Sequence, residues 1–535
     1  MVFTRRSFAA IVVCLSLALA RAAAAAPPDD ARVYVILWFD TEDYLLPADD
    51  DATLRISEFL TREGIRCTHK LVGEKVRVLE QRGRKDVIEA LKKHEIGYHS
   101  DFHSVQPTPA LFMSMQGWDD GVAEFDRRER QGMLDVERIT GQKPSCYGQP
   151  GSSWGPQQFG AMRQWGMPVY LDAGSHVKLD GDPFWYCGIL NLYALKATLR
   201  TNLGGPADLE EAKKRFDKSY EELLTEGGGP VSIYYHPCEF VHKQFWDGVN
   251  FSKGANPPRS EWKVPPQKTP EESRVAYETF EGYIRHIKSH PRVKFITARE
   301  AFELYRDRAH GRSFSRDEIH ALARRLLDSS KKSSSSASRS SSLSVARDRP
   351  VASDISPGGI SFHREPKFTL SAAEALWILN QFAFDAIQRS PPKGGSVILK
   401  ASPLGPTLAA PKHEAVSCDR SQMKRTIADV ADYMERHGRV PNAVWLGSTP
   451  VSPESYLQAL AQYIEHKLEG INSFDVGVHN FASTELEVAR YVAEDNPKLW
   501  GWVIFPPNFH APEMMKLAKR QAWTLKPAML DKKGN

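Results

Sequence analysis

The sequence predicts an α/β protein: a parallel (β/α) barrel followed by a separate, mainly helical unit. Two observations carry this. Strand and helix patterns alternate from Arg32 to about residue 310. Serial β–α units of that length make a parallel sheet, and this many make a barrel. A serine-rich run, KKSSSSASRSSSLS over 331–344, then separates this stretch from one of mostly helical periodicity over 355–535. Such a run cannot bury enough apolar surface to fold, so 311–354 reads as a flexible linker.

The elements follow in order. Residues 32–39 (RVYVILWF) form a strongly apolar strand. A helix over 52–63 has Leu54, Ile56, Phe59 and Leu60 at helical spacing and ends at Gly64. Further strands are expected at 65–72, 95–98, 166–171, 231–235 and 293–297. Helices are expected at 85–93, 125–139, 209–224, 271–289 and from Arg299. The second segment holds two similar stretches, 370–379 and 451–460, which read as an imperfect internal repeat.

Composition narrows the function. The chain has 535 residues, 41% of them apolar and 25% charged, so it is neither disordered nor fibrous. A net charge of +4 is too small to argue for nucleic acid. Residues 1–26 combine a charged start, a short apolar stretch and a run of alanines before Pro27, the pattern of a cleaved signal peptide. Arg5-Arg6-Ser7-Phe8 resembles a twin-arginine signal. The mature chain is therefore expected to be secreted, periplasmic or wall-associated, with no membrane span after signal removal. Of six cysteines, Cys14 leaves with the signal. An exported chain permits disulfides among the remaining five, and no Cys-x-x-Cys offers a cysteine zinc site.

Three stretches at predicted strand ends could carry chemistry, and barrel sites lie at those ends. In Asp40-Thr41-Glu42-Asp43, alternation puts Asp40 and Glu42 on the face of Tyr34, Ile36 and Trp38, opposite Val33, Val35, Leu37 and Phe39. Two carboxylates at one strand mouth suit a metal ligand and a general base. His99-Ser100-Asp101-Phe102-His103 has two histidines one helical turn apart, a spacing that can seat both on one metal. His286 and His290 share the spacing but lie in a charged helix, where a solvated face is expected. His236 closes an apolar strand before Pro237 and can act as a general acid or base.

In this order the pieces resemble the polysaccharide deacetylase family, also called the NodB homology domain or carbohydrate esterase family 4, over about residues 32–305. The resemblance includes Gly148-Gln149-Pro150-Gly151 and Asp172 in Tyr170-Leu171-Asp172-Ala173. It implies a distorted (β/α) barrel of the polysaccharide deacetylase type and a divalent metal, usually zinc, held by Glu42, His99 and His103. It also implies Asp40 as general base, His236 as general acid, Asp172 as the residue orienting His236, and Gly151 N–H as a candidate oxyanion donor. The activity implied is removal of N-acetyl or O-acetyl groups from a cell-wall or extracellular polysaccharide.

Two departures matter. The position matching the family's arginine, the partner of the base, is Gly148. The first motif reads Thr41-Glu42 where a second Asp usually stands, so Glu42 and Asp43 both remain candidates for the third ligand. The missing arginine motivates an alternative, a non-catalytic carbohydrate- or wall-binding protein on a degenerate barrel. A small-amide hydrolase is a further alternative, which a narrow pocket would favour. Trp154, Trp185, Trp246 and Trp262 are expected either to stack on sugars or to pack in the core. The second segment resembles, over 433–447 and 451–457, a pseudomurein-binding repeat, which implies an accessory domain binding a cell-wall polymer.

Overall fold

A computed structural model describes residues 28–336, 359–388, 395–412, 416, 418–468, 475–476 and 486–531. The expected signal peptide and the serine-rich stretch from 337 onward lie outside the described residues. At the centre is β1 (Val33–Thr41), buried along its whole length. A strand covered on both faces needs consecutive apolar side chains, which residues 33–39 supply.

Around it run β2 (Thr68–Leu71), β3 (Glu95–Tyr98), β4 (Cys146–Tyr147), β5 (Val169–Asp172), β6 (Phe184–Tyr186), β7 (Ile189–Tyr193), β8 (Thr198–Leu199), β9 (Gly229–Tyr235) and β10 (Val293–Ile296). The order across the sheet is β8-β9-β1-β2-β3-β4-β5-β7-β6, ending in a short strand, Lys526–Pro527. β10 pairs with the first half of β1 while β2 takes the second half. The pairs are parallel except β6–β7 and β6 with Lys526–Pro527. Among the described residues no pairing joins β8 to Lys526–Pro527, so the barrel is open and distorted.

The alternation read from the sequence is the packing observed. Tyr34, Ile36 and Trp38 join Val169, Leu171 and Leu192 in one cluster. Val33, Val35, Leu37 and Phe39 join a second, with Ile56, Phe59, Phe216, Phe280 and Ile284 of the covering helices. One of those helices, Pro270–Lys288, starts at a capping box in which Thr269 and Glu272 satisfy each other's backbone N–H groups. Each fully buried Leu, Ile or Phe in these layers contributes about 1.5–3 kcal/mol relative to exposure.

The chain beyond 310 departs from the expected linker and single accessory domain. Residues Arg316–Ser336 form a helix. Its Ile319, Leu322 and Leu326 are buried in a core shared with the helices Ala372–Gln388, Arg420–His437 and Pro453–Leu468. Hence the stretch from 316 belongs to the helical unit: the apolar stripe at i, i+3 and i+7 outweighs the polar composition that follows it. Residues 486–531 instead join the barrel. Trp500, Met514 and Leu517 pack into one cluster with Tyr147, Trp154 and Tyr186. Tyr186 Oη donates to Ala518 O at 2.8 Å, and Cys187 N to Thr524 Oγ1 at 2.7 Å. The five described cysteines are free. No helix among the described residues is long and apolar enough to cross a membrane.

Lys526 fastens the three parts together. Its Nζ lies 2.7 Å from Asp307 Oδ2 and 2.8 Å from both Glu374 oxygens, and Lys526 and Glu374 are buried. Burial opposes the charge, but Glu374 and Asp307 hold the ammonium above its ordinary range. Lys526→Ala strands Glu374 as a buried charge, so a loss of about 3–5 kcal/mol is expected. Urea titration reads it as a lowered midpoint, with a smaller loss in the paired variant Lys526→Met/Glu374→Gln.

Candidate active site

Asp40 and Glu42 sit at the end of β1, and His99 and His103 follow β3. The two histidines lie on a turn, not on one turn of a helix: Ser100 and His103 have φ of 78° and 59°. Such left-handed backbone is costly for these residues, and the surroundings must hold it. Gly73 N donates to Ser100 O at 3.0 Å, Glu74 N to Asp101 O at 2.8 Å, and His103 N to Ser100 Oγ at 3.1 Å. Arg77 pairs with Asp101 at 2.7 Å.

The turn aims both imidazoles at Glu42. His99 Nε2 and His103 Nε2 lie 3.5 and 2.8 Å from Glu42 Oε2. All three residues are buried, and neither Nε2 has a hydrogen-bond partner of acceptable geometry. The opposite nitrogens are occupied: His99 Nδ1 donates to Gly148 O at 2.9 Å, and His103 Nδ1 lies 2.7 Å from Ser104 Oγ. That second contact layer leaves the Nε2 lone pairs facing inward, as metal-binding histidines require. The donor atoms lie within 4.8 Å of one another. Two imidazoles and one carboxylate fit a divalent metal such as zinc. Asp43 turns away, with Oδ2 3.3 Å from His242 Nδ1, so Glu42 completes the trio.

Beside the trio lies a cation that the sequence reading missed. Lys70, on β2, is the register partner of Asp40, and its Nζ is fully buried 2.8 Å from Asp40 Oδ1 and 2.9 Å from Asp172 Oδ2. It also sits 4.2 Å above the Trp38 ring. Two glycines make its path. A Cβ at Gly148 would fall 2.0 Å from Lys70 Nζ, and one at Gly97 would fall 3.0 Å from Lys70 Cγ. Gly148 is thus more than the position of a lost arginine: its missing side chain is the space the lysine fills. The available signal was a lysine at the inward position of a buried strand, where charge persists only if paired.

Asp172 serves Lys70; Glu239 orients His236, contrary to the sequence expectation. Glu239 Oε1 accepts from His236 Nδ1 and sits 2.5 Å from Arg200 Nη2. His236 Nε2 faces Asp40 Oδ2 at 3.6 Å. Burial disfavours the imidazolium, but Glu239, Glu42 and Asp40 push its pKa up to about 9. Burial works the other way on Asp40, yet His99, Lys70 and His236 hold its carboxyl below the usual range. Asp172 is raised by burial and by Asp40, against the pull of Lys70.

Asp40, Glu42, His99, His103, Asp172 and His236 line a cavity of about 560 Å³, with Lys70 and Glu239 behind its wall. One wall comes from the C-terminal segment. Trp502 Nε1 donates to Asp247 Oδ2 at 2.6 Å, Trp502 N donates to Ser152 Oγ at 3.1 Å, and its ring meets His103 edge-on at 5.2 Å. A Cβ at Gly151 would fall 2.2 Å from the Trp502 ring. Of the four tryptophans singled out in the sequence, Trp154, Trp185 and Trp246 are buried in the core, and Trp262 packs on Trp246. His286 and His290 are not simply solvated: both approach Asp217 Oδ1, at 2.6 and 3.2 Å.

The two histidine pairs separate in a metal assay. His103→Ala should lose one equivalent of zinc by elemental analysis after dialysis. His290→Ala should retain the wild-type content, because the Asp217 cluster is partly exposed and internally bonded.

Neither a family model nor a curated protein matches this chain. Solved structures do. A family 4 acetyl xylan esterase from Clostridium thermocellum, in complex with cobalt, is 16% identical with a TM-score of 0.29, covering 51% of this chain and 91% of that one. The CE4 domain of a multidomain xylanase from the hindgut metagenome of Trinervitermes trinervoides is 12% identical with a TM-score of 0.28, covering 51% and 90%. The allantoinase Puue is 14% identical with a TM-score of 0.34, covering 52% and 92%. The pseudomurein-binding resemblance finds no support among these neighbours.

Proposed function

We propose that this protein is an exported, metal-dependent deacetylase that hydrolyses N-acetyl or O-acetyl groups on a cell-wall or extracellular polysaccharide. The carrying observation is the opposed tuning of two groups in one cavity. Lys70 keeps Asp40 anionic, while Glu239 keeps His236 protonated. Two titrating groups pushed apart in this way supply a base and an acid at the same pH.

A divalent metal at Glu42, His99 and His103 would supply Lewis-acid polarisation of the acyl oxygen and of the attacking water. The remaining work belongs to the side chains. Asp40 accepts the proton of the attacking water through the oxygen not held by Lys70. His236 gives its Nε2 proton to the departing nitrogen or oxygen, and Glu239 stabilises the ring before that transfer. General acid–base groups of this kind contribute about 10²–10⁴-fold each. Lys70 gives Asp40 the cationic partner that the missing arginine would have supplied, which supports the catalytic reading over the non-catalytic alternative. Export is proposed from the N-terminal pattern, and a wall-polymer role for the helical unit from its resemblance.

One observation favours a variant reading. Trp502 and Val503 wall the cavity, which suits a chain end or a small acylated amide better than the middle of a polymer. Acetate release from N-acetylated oligosaccharides, intact polymers and small amides separates the cases.

Asp40→Asn should abolish acetate release while leaving metal content unchanged. The proton donor is active when protonated, so activity should fall as pH rises through about 9. Glu239→Gln removes the main support for that charge and should move this basic limb to lower pH. Lys70→Met should raise the acidic limb, because Asp40 loses a neighbouring cation. Gly148→Ala, which displaces the lysine, should do the same. A pH–rate profile unchanged in Lys70→Met would refute the assignment of Lys70.

A further inference from the structure

The mouth of β1 carries metal-type donors on both of its sides. Glu42 faces the cavity, and the next residue, Asp43, faces a second buried cluster with Asp49 and His242. Asp49 lies in the first turn of the helix Pro47–Arg62, and His242 follows the short 3₁₀ turn Pro237–Phe240. His242 Nδ1 is 3.3 Å from Asp43 Oδ2 and 3.6 Å from Asp49 Oδ1, and each side chain is 1% exposed.

The valences of this cluster are left open. Asp43 Oδ1 accepts from Leu45 N at 2.9 Å, but Asp43 Oδ2 has no hydrogen-bond partner. Neither do both oxygens of Asp49 or both ring nitrogens of His242. Lys75 is engaged elsewhere: its Nζ donates to Asp43 O at 2.6 Å and to Asp50 Oδ1 at 2.7 Å. Buried carboxylate oxygens without a hydrogen-bond partner are costly, and His242 is the group that faces both. Three donor atoms within 4.8 Å of one another, all buried, are arranged to share a cation.

We propose that Asp43, Asp49 and His242 form a second divalent-metal site, distinct from the catalytic trio. Two carboxylates and one imidazole suit zinc or manganese better than calcium, which takes oxygen ligands. The ion would fasten three elements: the end of β1 next to Glu42, the start of the following helix, and the loop six residues beyond His236. It would act as a clamp on the parts that position ligand and acid, with no substrate contact. The proposal is independent of the hydrolytic reading.

Zinc stoichiometry of the full chain tests it. All variants carry His286→Ala, which silences the partly exposed Asp217 cluster. After chelation, re-equilibration with zinc and gel filtration, the parent should bind two equivalents. His99→Ala/His103→Ala should bind one, Asp49→Asn one, and the three substitutions together none. The equivalent kept by Asp49→Asn also shows that this variant folds, and His242→Gln repeats the test should it not. Cobalt added to His99→Ala/His103→Ala should give visible absorption bands that Asp49→Asn or His242→Gln removes. Zero equivalents in His99→Ala/His103→Ala, with the parent at one, would overturn the proposal. That outcome would leave the cluster as a carboxyl pair sharing a proton beside His242. Loss of acetate release with stoichiometry intact would instead count against the deacetylase reading alone.

Discussion

The ammonium of Lys70 is the constraint on which the site depends. A buried charge of this kind costs several kcal/mol in desolvation unless its partners are in place. The partners come from β1 and β5, with β3 and β4 lying between β2 and β5 in the sheet. Lys70 therefore needs Gly97 and Gly148 to be small, and it needs the register that sets it beside Asp40. A one-residue slip of β2 would turn the lysine to the outer face, among Phe39 and Phe59, and leave both carboxylates uncompensated. The chemistry of the site and the correct pairing of the sheet are thus enforced by one contact. Because one ammonium serves two carboxylates, the surroundings decide which keeps its charge. Asp40 also faces His99 and His236, so the anion is favoured there and disfavoured at Asp172.

The same logic, with opposite sign, governs His236. A carboxylate, Glu239, supports the cation, and Arg200 holds that carboxylate in place. Asp40 and His236 are each tuned by a buried counter-charge that is itself anchored by a third residue. The two arrangements approach the cavity from different strands, β2 and β5 for one and β8 and β9 for the other. They meet where His236 Nε2 faces Asp40 Oδ2. This separation lets one cavity hold a depressed carboxylate and an elevated imidazolium without either cancelling the other.

What the sequence made legible was local. The period-two alternation of β1 placed Asp40 and Glu42 on one face, and the strand-end position of His99 and His103 set them apart from His286 and His290. What stayed hidden depends on contacts across the sheet. Lys70 pairs with Asp172 over 102 residues of separation, and no spacing within one strand announces that. Glu239 is only three residues from His236, so the signal was present as a carboxylate one turn beyond a strand-end histidine. Asp172 drew the orienting role because its motif carried the resemblance. The helix from Arg316 was obscured by the serines after it, although Ile319, Leu322 and Leu326 already marked a buried stripe.

The C-terminal segment shows why domain boundaries drawn from composition mislead here. Its last strand extends the barrel sheet, its aromatic residues fill the cluster around Trp154, and Trp502 closes a wall of the cavity against a glycine that leaves room for the ring. The Trp502–Asp247 bond joins this wall to a residue whose carboxyl burial and Glu42 both push up. A barrel ended near residue 310 would expose the apolar faces of Tyr147, Trp154 and Tyr186, and large exposed apolar patches of that kind drive association. It would also open the cavity on the Trp502 side. The accessory portion is therefore part of the cavity: the barrel supplies Asp40, Glu42, His99, His103 and His236, and the distant end of the chain sets the shape of the space in front of them.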